Sequence, residues 1–272
     1  MPEDGGVVAR LSPRRRALVA GVMLLLLAGV TVVAGRVAVR VFGADRAAPP
    51  QDRPGPVILV PGYGGGSAGL RLLAARIRAA GGQATILELP GDGTGDLRAQ
   101  ARALDRAAAA ALRSGAPSVD VIGYSAGGVT ARLWVHDFHG THKARRIITL
   151  GAPHRGAEIA SAGEAFAPGA CPPACRQLVP GSAMLSRLGG QVTDRPAWMS
   201  IWTTLDETVT PPDSARLDGA VNVPLQAICP AARIGHGDLP TDPLVTGIVL
   251  RALGPAPLRP PTASACPTPA PR

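Results

Sequence analysis

Aromatic residues are scarce in this chain, 3% of 272 residues, and charged ones are few, 17%. The formal net charge is +9, carried almost wholly by arginine. Binding to nucleic acid needs basic groups gathered on one stripe, and single strands also need rings to stack on. Here seven arginines face three acids in residues 1–46, and twenty-one basic side chains are spread among sixteen acidic ones over the remainder. No stripe results, so nucleic acid is excluded as a partner, and a coding bias towards Arg, Ala, Gly and Pro accounts for the charge. Cysteine is sparse too, four in all. Cys171-Pro-Pro-Ala-Cys175 has no second ligand pair at useful spacing, which argues against zinc. His136, His139 and His142 recur every three residues, but Phe138 and Gly140 put the last two in the loop leaving a helix. No metal and no cofactor are expected.

A long apolar run is present near the N-terminus. Ala17 to Gly35 holds nineteen residues without a charge, enough to cross a bilayer as a helix. Arg10 and Arg14 to Arg16 precede it, and Arg36, Arg40 and Arg46 follow, so the positive-inside rule puts the N-terminus inside by a small margin. Ala34-Gly35 and Gly43-Ala44 offer small residues for cleavage, and Ser12-Pro-Arg-Arg-Arg loosely resembles a twin-arginine start. The expectation is an uncleaved helix over 17–35, Met1–Arg16 in the cytoplasm and the rest of the chain outside, or secreted if the segment is removed. The cysteines suit an oxidising compartment. Cys171 with Cys175 would close a small loop and Cys229 with Cys266 would be the other bridge; the two remaining connectivities stay open.

The chemistry starts at Val119-Asp-Val-Ile-Gly-Tyr-Ser-Ala-Gly-Gly128, an apolar strand running through Gly123-Tyr-Ser-Ala-Gly127 into a helix-forming segment. Gly-x-Ser-x-Gly is a weak string in a glycine-rich chain; between a strand and a helix it reads as a sharp turn that lifts the Ser125 hydroxyl clear of the sheet. Such a serine needs a base, and the base needs a carboxylate to hold its tautomer. The expected chain order is Ser, acid, His. Asp206 follows the apolar run Trp198-Met-Ser-Ile-Trp202, and His236 sits on the glycine-flanked loop after Val221-Asn-Val-Pro-Leu-Gln-Ala-Ile228. Glu207, Asp213 and Asp238 compete for the acid role and rank behind Asp206. His154 precedes the acid, so it reads as a pocket or loop residue. Oxyanion donors are expected from the backbone N–H of Ala126 and from Pro61-Gly-Tyr-Gly-Gly-Gly66, with Tyr63 ahead of Gly64.

Taken in order, Val60-Pro-Gly-Tyr-Gly-Gly, Gly-Tyr-Ser-Ala-Gly-Gly, Thr149-Leu-Gly-Ala-Pro-His-Arg-Gly156, Asp206 with its Thr-Val-Thr-Pro tail, Ser214 to Val223 and Gly235-His-Gly-Asp-Leu-Pro240 resemble the α/β-hydrolases, in particular small secreted actinobacterial lipases and esterases. The resemblance covers roughly residues 55 to 253. It implies ester hydrolysis by a Ser125–His236–Asp206 triad, without metal. The chain departs from many such lipases in having Pro61-Gly62 where they have His-Gly; backbone donors survive that change.

Strands are expected near 57–60, 84–89, 119–122, 146–150, 198–203 and 221–228, with helices near 68–80, 96–114, 126–138 and 241–253. Their alternation argues an α/β fold, a mostly parallel sheet covered on both faces. Asp96 to Arg113 reads as a surface helix. The expected organisation is a basic segment 1–16, the apolar helix 17–35, a linker 36–54, the catalytic domain 55–253 and a low-complexity tail 254–272 that does not pack. The insertion 156–190 reads as a pinned loop above the sheet edge, with a lid left open. The functional expectation is a monomeric ester hydrolase acting on lipid or other ester substrates, held at the membrane by its N-terminal helix. An acyltransferase or thioesterase with the same triad, and a non-catalytic surface-anchored binding protein, are the alternatives.

Overall fold

The computed structural model describes residues 12–44, 48–166 and 171–266. Residues 1–11 of the basic segment, 167–170 of the insertion and 267–272 of the tail lie outside the described residues. The chain divides into two units, 1–47 and 48–272.

In the first unit the described residues form one helix, α1, Pro13–Ala44. It runs beyond residue 35, so the expected linker is helical as far as Ala44. Its side chains from Ala17 to Thr31 are all exposed, including Leu24, Leu25, Leu26 and Leu27. Among the described residues no helix is long and apolar enough to cross a membrane. Among the described residues the spanning helix expected over 17–35 therefore finds no support.

The second unit is built on six strands: β1 (Val57–Val60), β2 (Ala84–Ile86), β3 (Val119–Tyr124), β4 (Ala144–Leu150), β5 (Ala197–Trp202) and β6 (Val221–Pro224). They pair in parallel in the order β2-β1-β3-β4-β5-β6. Both faces are covered, which is why β1 and β4 read as unbroken apolar or buried runs. Alternate residues take opposite faces. Val57 and Leu59 pack with α2 (Ala68–Ala79) and α9 (Pro243–Leu253) through Leu70, Leu73, Val245 and Ile248. Ile58 and Val60 pack with α3 (Leu97–Arg113) and α4 (Ala126–Asp137) through Leu104, Val129 and Leu133. The α3 helix shows one side to solvent and buries Leu97, Ala101, Leu104 and Ala108.

The expected elements shift in particular places. The strand expected over 221–228 ends at Pro224, which has no N–H to continue a ladder, and Leu225–Ile228 form α8. The insertion contains α5 (Glu158–Phe166), α6 (Pro173–Gln177) and α7 (Ala183–Leu188). Cystines join Cys171 to Cys175 and Cys229 to Cys266. The Pro-rich segment does pack, through residue 266: Leu258, Ala265 and Cys266 lie against the core. Its hold comes from two buried arginines beside the start of β4. Arg145 pairs with Asp120 at 2.6 Å and donates to the carbonyls of Gln51, Leu253 and Gly254. Arg146 donates to those of Ala252, Gly254 and Ala256. Burial pushes the Asp120 carboxyl up, against the pull of Arg145, and pushes the Arg146 guanidinium down to about 10.

The chain leaves β1 for β2 on one side and reaches β3 on the other. Loops after β1 and β3 therefore diverge at the carboxyl edge, the crevice where open α/β sheets bind ligands.

Candidate active site

Ser125 stands in that crevice, between β3 and α4, with φ 51° and ψ −127°. A non-glycine residue there carries about 1–3 kcal/mol of strain, tolerated where the surroundings fix it. They do: its N–H donates to Leu150 O at 2.8 Å. The glycines on either side answer to close packing. A Cβ on Gly127 would lie 2.3 Å from Val60 O, and one on Gly123 would lie 2.5 Å from Gly128 Cα. No side chain fits at either position.

Asp206 follows β5 and His236 lies on the loop before α9; both are buried. Asp206 Oδ1 accepts the amide hydrogens of Thr208 (3.0 Å) and Val209 (2.7 Å), which fixes the carboxylate. Its Oδ2 faces His236 Nδ1 at 2.7 Å. A proton on Nδ1 leaves Nε2 as the ring's acceptor. The imidazole also lies against Tyr124, ring centroids 5.2 Å apart, and beside Gly151. No hydrogen bond joins His236 to Ser125 Oγ in this structure; that contact is commonly long before substrate arrives.

Two neighbours hold the backbone of His236: Glu207, which the sequence offered only as a rival acid, and Tyr124, to which it gave no role. Glu207 Oε2 accepts the His236 N–H at 3.1 Å, and Tyr124 donates its hydroxyl to the His236 carbonyl at 3.3 Å. Burial first, and then the charges of Asp206, Glu207 and Asp238, push the Tyr124 phenol up to about 12, so it stays a donor. Asp238 accepts the Gly235 N–H at 3.0 Å, and Asp213 is exposed in a turn. Neither takes the place of Asp206.

Tyr63 and Ala126 each head a helical turn, so their N–H groups have no intrahelical acceptor. Gly64 differs: its N–H donates to Gly93 O at 3.4 Å. Of the two glycine-loop candidates, Tyr63 has the amide free to meet a ligand. A cavity of about 230 Å³ opens beside these groups, lined by Tyr63, Ser125, Ala160, Cys175, Leu178 and Val209 among others, none of them charged. A larger cleft of about 670 Å³ lies near the amino ends of β1, β2 and β3, lined by Gly55, Gly82, Ser114 and Pro117. It has no ionisable side chain in its wall and is far from this chemistry.

His154 is buried within the fold, its Nε2 3.1 Å from Thr149 Oγ1 and its Nδ1 without a partner. Burial, followed by Arg132 and Arg155, holds its pKa well below the ordinary 6.5. It is a neutral structural residue. Arg132, on α4, donates to His154 O and to Leu188 O and Gly189 O, tying α4 to the end of α7. Between the folded and unfolded pKa values of His154 the unfolded chain binds the extra proton, so stability falls as pH drops below about 6.5. His154→Gln should flatten that fall, by up to about 1.4 kcal/mol per pH unit. Thermal unfolding of both proteins at pH 7 and pH 5 measures it, and equal pH dependence would remove His154 as the cause. His136 ends in an exposed pair with Asp137, 2.7 Å, while His139 and His142 lie beyond the helix. Among the described residues no cluster of His, Cys, Asp and Glu could hold a metal ion.

No protein-family model matches the chain, and no curated protein does. Among solved structures it is similar to Aspergillus fumigatus lipase B, with a TM-score of 0.61 at 19% identity over 74% of this chain and 52% of that one. The chain thus spans about half the length of that lipase. It is also similar to the mature form of Bacillus licheniformis lipase BlEst2, with a TM-score of 0.54 at 18% identity over 65% of this chain and 84% of that one. At such identities the likeness is one of fold alone, a parallel sheet with helices on both faces.

Proposed function

We propose that this protein is a serine hydrolase that cleaves carboxylic esters, in the manner of lipases and esterases, through an acyl-enzyme on Ser125. One arrangement carries the reading. The His236–Asp206 pair is closed at 2.7 Å, its imidazole lies against Tyr124, and the next residue, Ser125, is strained and opens on an uncharged cavity. Ser125 Oγ attacks the acyl carbon while His236 Nε2 takes its proton. The charge that develops on the carbonyl oxygen falls to the N–H groups of Tyr63 and Ala126. His236 then protonates the departing alkoxide, and water repeats the sequence to release the acid. Asp206 keeps the ring in the tautomer that this needs.

The test is a p-nitrophenyl ester assay on the full chain with fluorophosphonate labelling. A burst of p-nitrophenol and label on Ser125 are expected; label on another serine, or no turnover, sinks the proposal and favours a non-catalytic binding protein. We further propose that residues 17–35 anchor the hydrolase at a membrane with the catalytic unit outside, as the uncharged run and the two cystines suggest. Activity in washed membranes, sensitive to protease added to intact protoplasts, is the expected result. A protease-resistant activity inside the cell would overturn it.

A further inference from the structure

Resting on that ester-hydrolase reading, we propose that the cavity beside Ser125 is a fixed acyl pocket for uncharged chains of short to medium length, with Leu178 setting the limit. The wall is apolar: Pro153, Ala157, Ala160, Leu178 and Val209 line it, together with Cys175 of the Cys171–Cys175 bridge. Thr208, Tyr63 and Ser125 are the lining residues with polar side chains, and none offers a charge to meet a carboxylate or ammonium on the chain. A carried charge would lose its hydration with nothing to replace it.

Size gives the second limit. Pockets that bury drug-sized ligands run to about 300–1,000 Å³, and this one holds about 230 Å³. At about 30 Å³, the share of one water molecule in the liquid, it takes ~8 groups of that size. Acyl chains up to about an octanoyl fit; longer ones must leave the pocket or distort it.

The wall is held in place from several sides. Leu178 is buried, and its carbonyl accepts the Ala157 N–H at 3.0 Å, locking the end of α6 to the start of α5. Ala174 N–H donates to Thr94 O at 3.1 Å. Gln177 accepts the Leu97 N–H and donates to Asp96, both at 2.8 Å, so α6 is joined to the start of α3. On the other side Glu158 N–H donates to Thr210 O at 2.9 Å, in the loop that carries Asp206, and Arg132 holds Leu188 and Gly189. The wall is bonded to α3, to α4 and to the acid loop at once. Residues 171–190 therefore form a fixed side of the pocket and not a flap, and the rate on a given ester depends on the chain in solution, with no jump when an ester surface forms.

The test is kcat/KM for p-nitrophenyl esters from acetate to dodecanoate, kept monomeric, on the full chain. The wild-type profile should peak between butanoate and octanoate and fall beyond. One methylene in a hydrophobic pocket changes selectivity by about 10-fold or more. Leu178→Ala should thus raise the dodecanoate-to-butanoate ratio by at least ~10-fold, and Ala160→Phe, which fills the pocket from α5, should lower the octanoate-to-acetate ratio by a similar factor. An unchanged profile in both variants overturns the pocket assignment. So does a change confined to the alcohol side, read with a series of alkyl acetates, or a rate jump at the solubility limit of the butanoate. Failure of the underlying reading is distinct: no ester is cleaved and Ser125 takes no label, which removes this assignment too. Cleavage with a labelled Ser125 and an unmoved profile removes the pocket alone.

Discussion

Ser125→Ala should lower kcat/KM on a p-nitrophenyl ester by about 10⁶, and His236→Ala by a comparable factor, because groups that act as a unit fail together. The Ser125→Ala/His236→Ala double variant should then be no slower than either single one. Asp206→Asn is the more informative change at the third position. It keeps an oxygen for the Thr208 and Val209 amides, so the loop retains its shape, but an amide in place of the Oδ2 that now faces His236 Nδ1 favours the wrong tautomer. A loss of about 10⁴ is expected from that alone. Glu207→Gln sets the baseline, since Glu207 touches the His236 backbone and not its ring. Its loss should stay within about 10-fold, roughly the 1.4 kcal/mol of one weakened hydrogen bond. An Asp206→Asn enzyme as fast as Glu207→Gln would mean that another group orients the base.

The parts of this site that could be read from the sequence are those whose chemistry is local. Gly123 and Gly127 flank Ser125 because the turn itself brings α4 against the ends of β1 and β3, and that crowding is written within five residues. Asp206 and His236 were found by rank order along the chain after successive strands, and the structure brings them to 2.7 Å. What could not be read depends on distant backbone. Arg145 and Arg146 look like ordinary charges at the start of a strand. They are buried because carbonyls more than a hundred residues later, from Ala252 to Ala256, come to meet them. The same carbonyls explain why a Pro-rich segment without α-helix or strand packs. Sequence ranks Tyr63 ahead of Gly64 but gives no reason of geometry for it; that reason is where the Gly64 N–H points, to Gly93 O. The five-residue α6 has too few residues for helix propensity to decide. Its ends are held by a cystine and by Gln177 instead. Tyr124 was visible only as the variable residue of a motif, with no signal that its ring and hydroxyl would bear on His236.

Arg145→Ala is expected to be the most destabilising single change outside the crevice. Both Arg145 and Asp120 are fully buried, and the pair closes through two contacts, Nη2 to Oδ2 at 2.6 Å and Nε to Oδ1 at 2.9 Å. Removing one member of a buried pair leaves the other charge without compensation, which costs about 3–5 kcal/mol. For a domain of this size that is a fall in Tm of roughly 10 °C. The variant should also respond to acid in a particular direction. Burial already pushes the Asp120 carboxyl above 3.8, with Arg145 opposing. Without Arg145 the folded-state value rises further, so above pH 3.8 the folded chain binds more protons at Asp120 than the unfolded one. Stability is then lost as pH rises through that range, and the deficit relative to wild type should shrink as pH is lowered from 7 towards 5. An Asp120→Leu/Arg145→Met double variant should recover only part of the loss. It removes the orphaned charge but leaves the carbonyls of Gln51, Leu253 and Gly254 without their donor. Those carbonyls hold the segments before β1 and after α9, so cleavage by added protease should appear first around residues 254–260 in both variants. A Tm for Arg145→Ala within about 2 °C of wild type, less than the ~1 kcal/mol of a single neutral hydrogen bond, would show that water reaches Asp120 and that the clamp is not closed.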